Sequence, residues 1–93
     1  MSVTIVWKDS NMSKAMEIFT IEAIIKVKTF EDSIKSATAI KKQLQNEYQG
    51  EWNVIIAKDI PHFGYNVKYD KGCIIQATHG GYTFLIFKSP IVL

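Results

Sequence analysis

Ninety-three residues, 47% hydrophobic and 22% charged, are enough for one folded domain and leave no room for a second core, so residues 1–93 are read as a single unit. A net charge of +2 is too small to argue for nucleic acid, and all eleven basic residues are lysine, which removes the arginine fork favoured for guanine and phosphate. One cysteine excludes an internal disulfide, and two histidines leave too few ligands for a typical zinc site. No apolar run approaches the roughly 18 residues of a membrane span, and the N-terminus lacks a signal peptide's pattern. A soluble protein of a reducing compartment is expected.

Ser2 to Lys8 alternates Val3, Ile5 and Trp7 against Ser2, Thr4, Val6 and Lys8, a period-two strand with one wetter face. Asn11-Met12-Ser13 breaks the pattern, and Ser13 is a helix cap. From Lys14 to about Phe30 the period turns helical. Met16, Phe19, Ala23, Val27 and Phe30 form one stripe, and Ile18, Ile21 and Ile25 form another, so this helix is expected to be covered on two sides. Glu31-Asp32-Ser33 opens a second helix that presents Ile34, Ala37, Ile40, Leu44 and Tyr48 on one face and stops at Gln49-Gly50.

The remainder reads as β. Glu51 to Ala57 is a central-strand pattern, and Pro61 makes Asp59 to His62 a loop or bulge. Phe63 to Tyr69 alternates Phe63, Tyr65, Val67 and Tyr69 against Gly64, Asn66 and Lys68. Turns at Asp70-Lys71-Gly72 and His79-Gly80-Gly81 then separate strands Cys73 to Thr78 and Tyr82 to Lys88. The order strand, helix, helix, four strands predicts an α+β domain with two helices packed on an antiparallel sheet.

Little of this points to catalysis. Asn11-Met12-Ser13 matches a glycosylation sequon but serves better as a cap. Cys73 has Lys71 nearby yet no base or acid placed to activate it, so it is read as a packed strand cysteine. His62 and His79 are read as solvated turn residues, Gly80-Gly81 as a hairpin turn, and Lys41-Lys42 as the wet face of a helix, with partner docking as the minority reading. Phe63-Gly64-Tyr65-Asn66-Val67 carries two readings. It is either an ordinary turn and strand or an exposed edge that pairs with an incoming strand, where glycine permits close backbone approach.

Five stretches together resemble the small cytoplasmic dynein light chains. They are Val6-Trp7-Lys8 with Asn11-Met12-Ser13 and Met16; Ile40-Lys41-Lys42; Tyr48 with Trp52, Val54, Ile55 and Ile56; Phe63-Gly64 with Val67; and Phe87-Lys88-Ser89. The resemblance runs from about residue 5 to 89, and the ordered set is more specific than any one motif. It implies a cytoplasmic, cytoskeleton-associated homodimer without catalytic residues, metal or cofactor. The Phe-Gly strand would cross to the partner subunit's sheet, with Asn53, Phe63, Tyr65, Val67 and Tyr69 at the dimer interface. Extended partner peptides would add as β-strands in two grooves. Phe63, Gly64, Tyr65, Asn66, Val67 and Lys68 would supply the edge, Ile74, Gln76, Thr78 and Thr83 the floor, and Ser33, Ile34 and Lys35 the helix rim.

Several positions depart from the family pattern. Asn53 stands where a histidine is usual, and Ile60-Pro61-His62 is an insertion before the exchanged strand. Tyr65, Asn66, Lys68 and Tyr69 replace serine, tyrosine, threonine and histidine. Ile74, Gln76 and Thr78 replace three aromatic groove residues, Thr83 replaces alanine, and the Ser33-Ile34-Lys35 rim is not matched cleanly. Two functions are therefore carried forward. The first is a homodimeric adaptor for extended peptides, with the dynein intermediate chain as one candidate partner and a motor-complex light chain as one setting. The second is a diverged dimerisation module without general peptide binding, such as the light-chain-like part of a flatworm tegument protein. The sequence has no EF-hand loop, so a calcium role would lie elsewhere.

Overall fold

The computed structural model describes residues 2–59 and 63–90. Strand β1 (Thr4–Lys8) leads into helices α1 (Lys14–Lys26) and α2 (Ser33–Tyr48), and strands β2 (Trp52–Lys58), β3 (Ile74–His79) and β4 (Tyr82–Lys88) follow. The sheet order is β1-β3-β4-β2 with every neighbour antiparallel, so β1 and β2 are its two edges. The α+β class is as expected. Three strands rather than four follow the helices. Ile60-Pro61-His62, expected in a loop, lies outside the described residues.

Local chemistry explains the helix ends. The Ser13 hydroxyl accepts from the Met16 amide at 3.1 Å and the Asp32 carboxylate from the Lys35 amide at 3.0 Å, each satisfying a donor the helix cannot. α1 stops at Lys26, short of Phe30, because Val27 turns extended. α2 ends where Gln49 takes a positive φ of 54° and donates to the Gln45 carbonyl.

Both helices bury one side against one face of the sheet. Ala23 and Ile24 of α1 and Ile40 and Leu44 of α2 close on Trp52, Ile75, Ala77, Phe84 and Ile86. The two-sided cover expected for α1 is not found: Ile18 and Ile25 are about half exposed, and Phe30, placed on the buried stripe by periodicity, is 74% exposed beyond the helix end. Ile34 is 79% exposed because the first turn of α2 overhangs the edge strand β2 instead of the sheet interior.

A second correction concerns β1. A bulge between Ile5 and Trp7 breaks the expected alternation. Val3 and Ile5 face the helices, but Trp7 pairs with Gln76 on the opposite face. Lys8 is thereby returned to the helix side, where its ammonium lies 3.3 Å from the buried Glu17 carboxylate.

The helix-free face carries a smaller cluster of Ile74, Leu85 and Phe87, with Phe63 and Val67 packed on it. Residues 63–69 keep only part of the expected alternation: Phe63 and Val67 pack on the cluster, Tyr65, its ring 5.9 Å from that of Phe63, and Tyr69 are exposed, and the segment forms no strand. Among the described residues no backbone hydrogen bond joins them to the sheet. Phe63 and Val67 set their side chains on that face, which leaves the segment's backbone outside the ladders of its own sheet.

The chain returns to the sheet through a clamped turn. The Asp70 amide donates to the Lys88 carbonyl at 2.8 Å, and the Gly72 amide donates to the Asp9 carboxylate at 2.9 Å. Gly72 has φ +80°, and a Cβ there would stand 2.9 Å from the Asn11 carbonyl oxygen, so glycine is required.

Candidate functional site

The two sheet edges differ in what they offer. β1 is bulged and ends in Lys8, devices that blunt an edge against pairing. β2 keeps an unbroken seven-residue register with β4, and its outer side has no strand beside it among the described residues. That edge runs under α2. Between them lies a groove whose middle, about 340 Å³, is lined by Ala37, Thr38, Lys41, Asn53, Val54, Ile55 and Phe87. Ser33 and Ile34 line its continuation toward the start of α2, opposite Ile56.

Ser33, Ile34, Ala37, Thr38 and Lys41 share one side of α2 at three- and four-residue spacing. The ammonium of Lys41 is held 2.8 Å from Glu51, at the entry to β2. Lys35, expected on the same rim, instead lines a depression on the α1 side with Lys28, Glu31 and Asp32. Ala37, Thr38, Lys41, Ile55 and Ile56 were not anticipated as groove residues from sequence, although docking was the minority reading for Lys41. Helical spacing from Ile34 would have found the first three.

The expected floor residues lie elsewhere in the chain. Register places Ile74, Gln76, Thr78 and Thr83 on the helix-free face, in rows with Phe87, Leu85 and Trp7. Ile74, Gln76 and Thr83 are buried and Thr78 half-buried. Within one chain the sheet stands between them and the α2 rim, so these two groups do not meet. Asn53 is on the floor's face, beside Phe87, and its amide donates to the Ser89 hydroxyl at 2.9 Å.

The segment over this face is built to present its backbone. Phe63 and Val67 turn inward onto Ile74, Leu85 and Phe87, while Gly64, Asn66 and Lys68 are exposed. A Cβ added at Gly64 would meet nothing within 4 Å, so no contact among the described residues demands glycine there. Partial burial and the neighbouring Tyr69 push the Tyr65 hydroxyl above its ordinary pKa, keeping the ring neutral at physiological pH.

The remaining sequence candidates stay structural. Cys73 is buried, and loss of solvation raises its thiol pKa, which opposes thiolate chemistry. His79 is at the β3–β4 hairpin, its ring Nδ1 3.3 Å from the Ser2 carbonyl. Among the described residues no cluster of three or more metal-ligating side chains occurs, and no helix is long and apolar enough to cross a membrane.

The family model described as dynein light chain type 1 matches residues 4–89. The chain belongs to that family. A stretch of 53 residues is 38% identical to cytoplasmic dynein light chain 1 of Saccharomyces cerevisiae, covering 57% of this chain and 54% of the yeast protein. The dynein light chain-like domain of the Fasciola hepatica calcium-binding protein FhCaBP2, solved as a mercury derivative, superposes with a TM-score of 0.80 at 16% identity, covering 98% of this chain and 95% of that one. The corresponding domain of CsTAL3 gives a TM-score of 0.74 at 12% identity, with 92% and 90% coverage. These structures share the dynein light chain fold, and at such identities the likeness carries the fold alone.

Proposed function

We propose that this dynein light chain family member is a non-enzymatic homodimeric adaptor that binds extended protein segments by β-strand addition. One observation carries the reading. Among the described residues there is a strand-like segment without a sheet, residues 63–69, and an unbulged edge without a neighbouring strand, β2. Each is what the other lacks, and a two-fold copy supplies both at once. In such a dimer residues 63–69 of one protomer pair with β2 of its partner, and the two helix-free faces approach with Phe63 and Val67 between them.

The outer edge of the exchanged segment then takes the peptide. One protomer provides Ile74, Gln76, Thr78 and Thr83 beneath it, and the other provides Ser33, Ile34, Thr38 and Lys41 of α2 beside it. The separation of floor and rim within one chain is accounted for, because the groove is composed across two chains. By analogy with the yeast relative, the setting is the cytoplasm and its cytoskeletal motors, and an intermediate-chain segment is one ligand of the right form.

Sedimentation equilibrium with and without a library of extended peptides tests the reading. A dimer at micromolar concentration that takes one peptide per protomer supports it. A monomer under those conditions overturns it, and a dimer that takes no peptide leaves the dimerisation-module alternative standing in its place.

A further inference from the structure

We infer that the outer face of α1 and the cavity at its C-terminal end form a second docking surface, for an amphipathic helix with an acidic first turn. The surface is separate from the β2 groove. Ile18, Ile21 and Ile25 recur at helical spacing on the side of α1 turned away from the core, with Ile18 and Ile25 about half exposed. The row leads into a cavity of about 500 Å³ lined by Ile25, Val27, Phe30 and Tyr82, with Lys26 and Lys28 at its rim. A loop phenylalanine that remains 74% exposed beside such a cavity is an anchor awaiting a partner.

Spacing and charge define the occupant. A row at i, i+3 and i+7 is matched by the ridge of a second helix, whose apolar side chains would extend the cover that α1 has on one side only. Lys26 and Lys28 make no ion pair among the described residues, and no carboxylate lines the cavity. Glu31 and Asp32 share the neighbouring depression between α1 and α2 with both lysines, but neither carboxylate comes within ion-pair distance of them. The partner helix should therefore bring carboxylates to this end. Acidic residues favour the first turn of a helix, so an antiparallel partner puts its acidic N-terminus on Lys26 and Lys28 and sets the two helix dipoles head to tail. A second copy docked through β2 and the helix-free face would leave this surface open, because α1 lies on the other side of the sheet.

The probe is a synthetic helical peptide of about 18 residues with leucines at i, i+3, i+4 and i+7 and glutamates in its first turn, paired with a version carrying lysines there. Titration into isotope-labelled protein should shift the resonances of Ile25, Val27, Phe30 and Tyr82. Phe30→Ser should weaken the acidic peptide at least about tenfold while leaving the fold intact, since the ring is exposed. Lys26→Glu with Lys28→Glu should weaken the acidic peptide and strengthen the basic one. No shift at millimolar peptide, equal affinity for the two peptides, insensitivity to Phe30→Ser, or shifts confined to Asn53–Ile56 would each overturn the proposal.

Discussion

The Asn53 side-chain amide donates to the Ser89 hydroxyl at 2.9 Å, joining the start of edge strand β2 to the residue after β4. Both partners are neutral and neither can ionise near physiological pH. A half-buried position on the helix-free face is thus held by a bond that mild acid does not touch.

The first prediction follows from that pair. The dimer dissociation constant should change less than about threefold between pH 7.5 and pH 5.5, where carboxylates with pKa values near 4 remain ionised. Asn53→His should install a switch, since imidazole charges near pH 6.5 and two charged rings at a two-fold contact repel. Sedimentation equilibrium of both proteins at both pH values decides it. Acid dissociation of the wild type would place the sensor on another group.

The second prediction uses the backbone. Among the described residues, 63–69 make no backbone hydrogen bond to the sheet of their own chain, so proline there removes none of the ladder described above. Successive amides of a strand point to opposite edges. Of Tyr65→Pro and Asn66→Pro, one should therefore weaken subunit pairing and the other peptide addition. A lost ladder bond is worth roughly 0.5–1.5 kcal/mol. Counted twice in a symmetric dimer, that weakens association about five- to a hundredfold. Equal, negligible effects of the two variants would argue against strand exchange.

Glu17 sets up the third. Its carboxylate is buried and meets the Lys14 ammonium at 2.7 Å and that of Lys8 at 3.3 Å, which together hold its pKa below the usual range. Asp9 is lowered as well, by the amides of Asn11 and Gly72. A depressed carboxylate contributes stability above its unfolded pKa, near pH 4, and loses it as pH falls through the folded value. The thermal midpoint should be flat from pH 7 to pH 5 and decline below about pH 4. Glu17→Gln should lower the midpoint at pH 7 and make the acid decline shallower. A variant whose profile parallels the wild type would show that the ion pairs contribute nothing.

What the sequence made legible follows local rules. Ser13 caps α1 as its side-chain chemistry says it should, α2 starts where the acid of Glu31-Asp32-Ser33 was expected, and β4 spans Tyr82–Lys88 after the expected His79-Gly80-Gly81 turn. Patterning failed where tertiary context decides. Nothing in the run Val3 to Lys8 announces the bulge that turns Trp7 to the other face. Periodicity assigned Ile34 and Phe30 to buried stripes, but a stripe does not say where the sheet stops. Phe63 to Tyr69 alternates in sequence yet forms no strand and pairs with no strand among the described residues, because alternation reports on side chains and pairing depends on a second backbone. The α2 rim was partly missed for the same reason. Its residues matter for the edge they overhang, which only the strand order reveals.

The fourth prediction concerns ligand choice. Backbone pairing along an edge is largely blind to sequence, and selectivity comes from the pockets around it. The resemblance implies peptides with a central glutamine between threonines, read by the helix rim and an aromatic floor. Here the expected floor positions hold Ile74, Gln76 and Thr78, and Trp7, brought beside Gln76 by the β1 bulge, joins Phe87 as a large ring on that side of the sheet. Losing a ring that packs on a ligand removes roughly 1–3 kcal/mol of burial, or about five- to a hundredfold in affinity. Lys68 is exposed and makes no ion pair among the described residues, adding a positive charge at the edge. Threonine-glutamine-threonine peptides should thus bind weakly, and variants with an acidic residue placed opposite Lys68 more tightly. Calorimetry with one peptide of each kind, repeated on Lys68→Glu, makes the comparison. Reversal of the preference in that variant would assign the selectivity to Lys68. Tight binding of the unmodified peptide by both proteins would mean that backbone pairing outweighs the altered floor.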